Sequence, residues 1–175
     1  MQQIAKFVAW AAIPAALSLA ISSAQASQRQ IERGKYLVTI MGCSDCHTAG
    51  SLEGKPDMAH FLGGGDIGWD VPGLGVFVAP NLTPDKTGLG NWTKKQIVTA
   101  ITTGKTPDGR TLAPIMPWMD FAHLHRRDAF AIAAYLMSLP PVNHKVRGPF
   151  GPKENPPIPV LKIVPPTGAG APPHK

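Results

Sequence analysis

Two thiols and an imidazole stand within five residues, in Cys43-Ser44-Asp45-Cys46-His47. Four chemistries could use such a set. A disulfide between Cys43 and Cys46 would close only a tiny loop, and the stabilisation that a disulfide confers grows with loop length. A thioredoxin-like redox pair should follow a strand in a βαβ pattern, whereas the flanks here have helical character. Zinc needs a tetrahedral ligand set, and there is no second cysteine pair to complete one. Covalent attachment of haem c through two thioethers, with the adjacent His47 as an iron ligand, uses all three groups and leaves none over. The run therefore reads as the attachment site of one haem.

The other axial position of the iron decides the chemistry. The candidates downstream are Met58, Met116, Met119 and Met137, and His60, His123, His125 and His144. Met137 fits the apolar stripe of a helix, and Met119 can pack beside Trp118. His123 and His125 read as surface or helix-start groups. Met116 lies in Pro114-Ile115-Met116-Pro117, where the prolines fix the backbone and remove amide donors. Such a loop suits a thioether held still against iron, so Met116 is the expected ligand, ahead of Met119 and a histidine. Methionine is a soft ligand that favours ferrous iron and raises the potential. Two protein ligands leave no open site for oxygen or peroxide, which points to electron transfer. The alternative is a haem enzyme or gas sensor with a displaceable sixth ligand, under a group such as His60 or His123.

The ends of the chain read differently from its middle. Residues 7–21 are apolar apart from Ser18, follow Lys6, and lead to Ala24-Gln25-Ala26. That is the pattern of a signal peptide, residues 1–26, cleaved before Ser27. The 15-residue apolar run is short of the roughly 20 residues that a spanning helix needs. Export to the periplasm is the expectation. Residues 27–144 hold 11 Lys/Arg and 10 Asp/Glu, whereas residues 145–175 hold 5 and 1. The formal charge of +6 is thus mostly a property of the tail. No basic cluster on the body suggests nucleic-acid binding, and a basic tail better suits steering toward an acidic partner surface.

Between these ends the expected organisation is mainly α, with residues 27–142 as one domain and 143–175 as a proline-rich basic tail. Helices are expected at residues 28–41, 93–104 and 126–139. Gly34 costs helix stability, so its use should be close approach by another helix. Thr93 and Gln96 have capping-box spacing, and Gly104 is placed as a stop. Residues 48–91 are glycine- and proline-rich. A loop that long is reasonable if it wraps a flat cofactor. Its Gly63–Gly75 part and the Pro114–Trp118 loop are the expected rim of an exposed haem edge. From Pro140 onward the chain holds 11 of its 19 prolines and should run extended, with no core of its own. Three short helices make little core, so haem should supply the missing apolar bulk.

Several separated motifs, in order, resemble the class I monohaem cytochromes c. They are most similar to the cytochrome c domains and subunits of bacterial periplasmic alcohol and aldehyde dehydrogenases. The matching text is Arg33-Gly34-Lys35-Tyr36-Leu37, Ala79-Pro80-Asn81-Leu82-Thr83-Pro84-Asp85, Thr87-Gly88-Leu89-Gly90-Asn91-Trp92-Thr93, Pro107-Asp108-Gly109-Arg110, Pro114-Ile115-Met116-Pro117-Trp118 and Tyr135-Leu136-Met137-Ser138-Leu139-Pro140-Pro141. The resemblance implies a class I cytochrome c fold of three to four helices around one covalent haem, with the first and third helices crossing at Gly34. It implies that the Pro80 carbonyl accepts the N–H of His47, which fixes the ring and raises its basicity. It places Met116 at the axial methionine. Trp92 matches a position whose indole reaches a haem propionate, and is equally readable as a core aromatic. Arg110 can pair with a propionate or stand exposed in its turn. The implied partners are a periplasmic dehydrogenase and a downstream electron acceptor or oxidase, with membrane association through those partners. The chain would be an electron carrier and not itself an enzyme, acting as a free shuttle or as a subunit whose tail lies along its partner. His125 stands where the family has a serine-type helix cap, and the tail has no counterpart there.

Overall fold

The structure is a computed structural model and describes residues 12–164. Helix α1, Ala12–Ile40, is longer than expected. It starts within the apolar leader and runs through the expected cleavage site, because neither Gly nor Pro interrupts the sequence from Ala15 to Arg33. Residues 1–11 of the expected leader lie outside the described residues, as do residues 165–175 of the tail. Among the described residues no helix is long and apolar enough to cross a membrane.

The core forms where α1 crosses α5, Arg126–Leu136. Gly34 makes that crossing close. A Cβ at Gly34 would run into the Ala131 carbonyl oxygen and the Tyr135 side chain. Leu37 and Val38 of α1 pack with Ile132, Ala133 and Leu136 of α5, and with Leu62, Leu89 and Ile97. Beside this contact Arg33 donates from Nε and Nη2 to the two carboxylate oxygens of Asp128, at 3.0 and 3.2 Å. The Arg33 guanidinium holds the buried Asp128 carboxyl below the usual carboxylate range. Helix α5 has His125 at its N-cap with no side-chain cap bond.

Ile97 is carried by α3, Lys94–Thr103. This helix is bounded as its sequence dictates. Thr93 Oγ1 accepts the Gln96 N–H, and the Gln96 side chain accepts the Thr93 N–H in return, closing the capping box. At the other end Gly104 adopts φ +69°, a left-handed C-cap that only glycine takes without strain. Two short helices complete the set: α2, Cys43–His47, and α4, Trp118–Phe121.

The expectation of three to four helices and otherwise long loops is corrected on two points. There are five α-helices among the described residues, and a three-stranded sheet lies in the segments expected as loop and tail. Strand β1, Gly68–Val71, pairs antiparallel with β2, Gly75–Val78, placing Trp69 opposite Phe77. Strand β3, Val160–Leu161, pairs parallel with β1 on its other edge. The tail thus meets the hairpin at Phe150 and at Val160–Leu161. Phe150 bridges Val76 with two backbone hydrogen bonds of 2.9 Å each.

Candidate haem attachment site

Helix α2 begins after Gly42, which takes a left-handed φ of +64° to turn the chain out of α1. Cys43 and Cys46 are three residues apart in this helix and therefore face the same side of it. Both thiols are unpaired. Burial pushes the Cys43 thiol up to about 11 and raises that of Cys46 as well. They are neutral thiols and lack the lowered pKa of a redox-active cysteine.

His47 ends the helix with only 7% of its surface exposed. Its Nδ1 lies 2.7 Å from the Pro80 carbonyl oxygen, which can only accept, so Nδ1 carries the proton. Burial lowers the imidazole pKa and outweighs the opposing effect of that hydrogen bond. The ring is therefore neutral, with Nε2 as its free lone pair, which is the form that binds a metal. The backbone on either side of His47 is also held. The His47 carbonyl accepts from Gly64 N at 2.9 Å, and Leu62 N donates to Thr48 Oγ1 at 3.0 Å. Gly63, Gly64 and Gly65 are buried: Gly63 lies against Val142, Gly64 against Val146 and Gly65 against the Cys46 carbonyl.

Met116 is half-buried in the loop before α4. Its amide donates to Ala113 O at 3.0 Å and its carbonyl accepts from Trp118 N at 2.8 Å. The other candidates are engaged or exposed. Met58 and Met119 are 63% and 52% exposed, and Met137 packs on the core. His60 contacts the Asp57 carboxylate at 2.7 Å, and His144 donates from Nδ1 to Gly63 O at 2.9 Å. His123 and His125 are exposed.

Trp92 is half-buried and packs against the core cluster. Arg110 is exposed, with Nε 3.8 Å from Asp108 Oδ2 across a turn. A third aromatic carries a signal that sequence reasoning missed. Trp118 Nε1 is buried with no hydrogen-bond partner among the described residues. Its ring seats against Gly104, where a Cβ would collide with it. Its place two residues after Met116 and the glycine ending α3 were the available clues.

These residues fit a haem. Two thiols on one face of a helix and a histidine with Nε2 free make the attachment half of a c-type site. The orphaned Trp118 N–H wants an acceptor of the kind a haem carboxylate provides.

Residues 31–140 match the cytochrome c family model. The chain belongs to the cytochrome c family, whose members hold haem c covalently. It is 36% identical over 124 residues to the cytochrome c subunit of a quinone-type alcohol dehydrogenase from Gluconobacter oxydans. That match takes in 70% of this chain and 24% of the relative. The cytochrome subunit of the fructose dehydrogenase of Gluconobacter japonicus is also 36% identical, over 66% of this chain and 22% of its own length. A dihaem c-type cytochrome of Cereibacter sphaeroides is 31% identical, over 64% of this chain and 37% of its own. The chain therefore spans well under half of each of these relatives.

Proposed function

We propose that this chain is an exported one-electron carrier of the periplasm. It holds one haem c through Cys43 and Cys46, with His47 and Met116 as axial ligands. It serves as the cytochrome subunit or partner of a dehydrogenase and passes electrons to a downstream acceptor or oxidase. The observation that carries this reading is the setting of His47: buried, and fixed through Nδ1 on Pro80 O, beside two unpaired thiols on the same short helix.

Haem iron, when bound, supplies a couple that changes by one electron while its ligands stay in place. The residues do the rest. Pro80 fixes the plane of the His47 ring and its tautomer, and raises its basicity. The Pro114–Pro117 frame holds the Met116 side chain with little backbone freedom. A site closed on both sides excludes oxygen and peroxide, so the chain itself carries electrons and catalyses no reaction. The relatives' names support a dehydrogenase partner. The leader supports export, and residues 143–175 form a segment separate in composition from the domain of residues 27–142.

Met116→Ala tests the axial assignment. The purified variant should keep its covalent haem, seen by intact mass, and lose the methionine–iron absorption of the ferric protein. Survival of that absorption would place another residue on the iron.

A further inference from the structure

The start of the tail grips both stretches of chain that hold His47. The ring of His47 rests on the Pro80 carbonyl. The next residue, Asn81, is 1% exposed and is the hub of a closed network. Its Oδ1 accepts from Thr83 N at 2.9 Å and Thr83 Oγ1 at 2.8 Å. Its Nδ2 donates to Val142 O at 2.7 Å, with Thr87 Oγ1 at 3.1 Å and His144 O at 3.3 Å sharing the second N–H. The two threonines close the network from below. Thr83 Oγ1 accepts the Val142 amide at 3.0 Å and Thr87 Oγ1 the His144 amide at 3.1 Å.

The backbone of His47 is held from the opposite side by Gly64, whose amide donates to the His47 carbonyl. The tail reaches this stretch as well. His144 Nδ1 donates to the carbonyl of Gly63 at 2.9 Å. Gly63 and Gly64 have no side chains, which is what lets Val142 and Val146 seat there. A Cβ at either position would strike those valines. Residues 142–146 are thus a buckle closed across residues 63–64 and 80–81, and His47 lies between the two.

We infer that Asn81, Thr87 and His144 are positioning residues for the axial histidine, and that the docked tail sets the strength of the His47–Pro80 hydrogen bond. This rests on the proposed haem ligation by His47. A firm bond to Pro80 O gives the imidazole more anionic character, which stabilises ferric iron. Loosening the buckle lets the Pro80 carbonyl drift, weakens that bond and shifts the couple toward ferrous iron. A partner that pulled the tail away would then read out as a change at the haem.

Asn81→Ala would strip a buried hub and threaten folding itself, so the test uses milder changes in the full-length haem protein. Thr87→Val removes the hydroxyl shared by Asn81 and His144, and His144→Ala removes the ring on Gly63. Lys162→Ala is the control, since it cuts only an ion pair of 3.7 Å with Asp70 farther along the tail. Amide exchange at Val142 and His144 and the midpoint potential are both measured. Exchange should quicken in Thr87→Val and His144→Ala, with the ferrous-to-ferric ratio rising severalfold. A tenfold rise would be about 59 mV for a one-electron couple. The control should keep the wild-type potential. Faster exchange with unchanged potentials in both variants overturns the coupling, and unchanged exchange overturns the buckle. A wild-type protein without covalent haem would instead overturn the proposed function, and exchange would still report on the buckle.

Discussion

His47 Nδ1 and the Pro80 carbonyl oxygen meet at 2.7 Å across 33 residues of sequence. That one contact fixes the tautomer, the ring plane and the free nitrogen of the histidine in the attachment motif. It also makes the loop after β2 part of the site, because Pro80 is held in turn by what surrounds Asn81. The contacts that hold His47 are therefore long-range, although the motif itself spans five residues.

The pair of Arg33 and Asp128 predicts an acid-sensitive helix crossing. Asp128 has a depressed folded pKa, so its contribution is present above the unfolded value of about 3.9 and is lost as pH falls through the folded value. Asp128→Asn should be less stable than wild type near neutral pH. It should also lose stability less steeply as pH drops below about 4. Parallel acid-unfolding curves for the two proteins would mean that the pair does not titrate with folding.

Gly34 should not tolerate a side chain. Gly34→Val drives a branched side chain into the Ala131 carbonyl, and overpacking of this kind costs about 1–3 kcal/mol. The melting temperature should fall by roughly 4 °C for each kcal/mol. An unchanged melting temperature would show that α1 and α5 can slide apart freely.

The capping box of α3 should be worth about 1 kcal/mol, the usual cost of replacing a Thr N-cap by Ala. Thr93→Ala should therefore lower the denaturant midpoint of the haem protein and leave its reduction potential alone. A shifted potential would tie this helix start to the haem more closely than its exposed position implies.

Trp118 should prove to be a hydrogen-bond donor in the haem-loaded protein. Its buried N–H lacks an acceptor among the described residues. If a haem carboxylate takes that proton, Trp118→Phe should cost about 1.5–3 kcal/mol, the range for hydrogen bonds to charged groups. A Phe variant as stable as wild type would leave the indole as packing alone. The same substitution at Trp92 shows which of the two indoles carries this role.

What was legible in the sequence was local. Cys43, Cys46 and His47 are neighbours, and their chemistry needs no tertiary information. Thr93 with Gln96, Gly104 and Gly34 each announce a helix end or a close contact through their own backbone chemistry. The hairpin was harder to see. Val76-Phe77-Val78 looks like a strand, but its partner Gly68-Trp69-Asp70-Val71 opens on glycine and carries no clean alternation. The docked tail was not readable at all. Its proline content hides a two-residue strand that pairs with β1, some 90 residues earlier. The Asn81 network is invisible for a related reason: an asparagine in a proline-rich loop looks like a turn residue until Val142 and His144 are brought to it. Trp118 is legible as part of the Pro114–Trp118 motif and as a neighbour for Met119, but its orphaned N–H is not, because the loss of an acceptor around an indole is a property of the folded surroundings.

Closure of the sixth position of the iron by Met116 is the central claim. Cyanide titration of the ferric wild-type protein, followed by its optical spectrum, tests this. A site closed by Met116 should bind cyanide slowly and weakly, with the methionine–iron absorption persisting until cyanide displaces it. Prompt, tight binding by a protein that lacks the methionine–iron absorption from the start would contradict it, and would favour a haem enzyme or gas sensor.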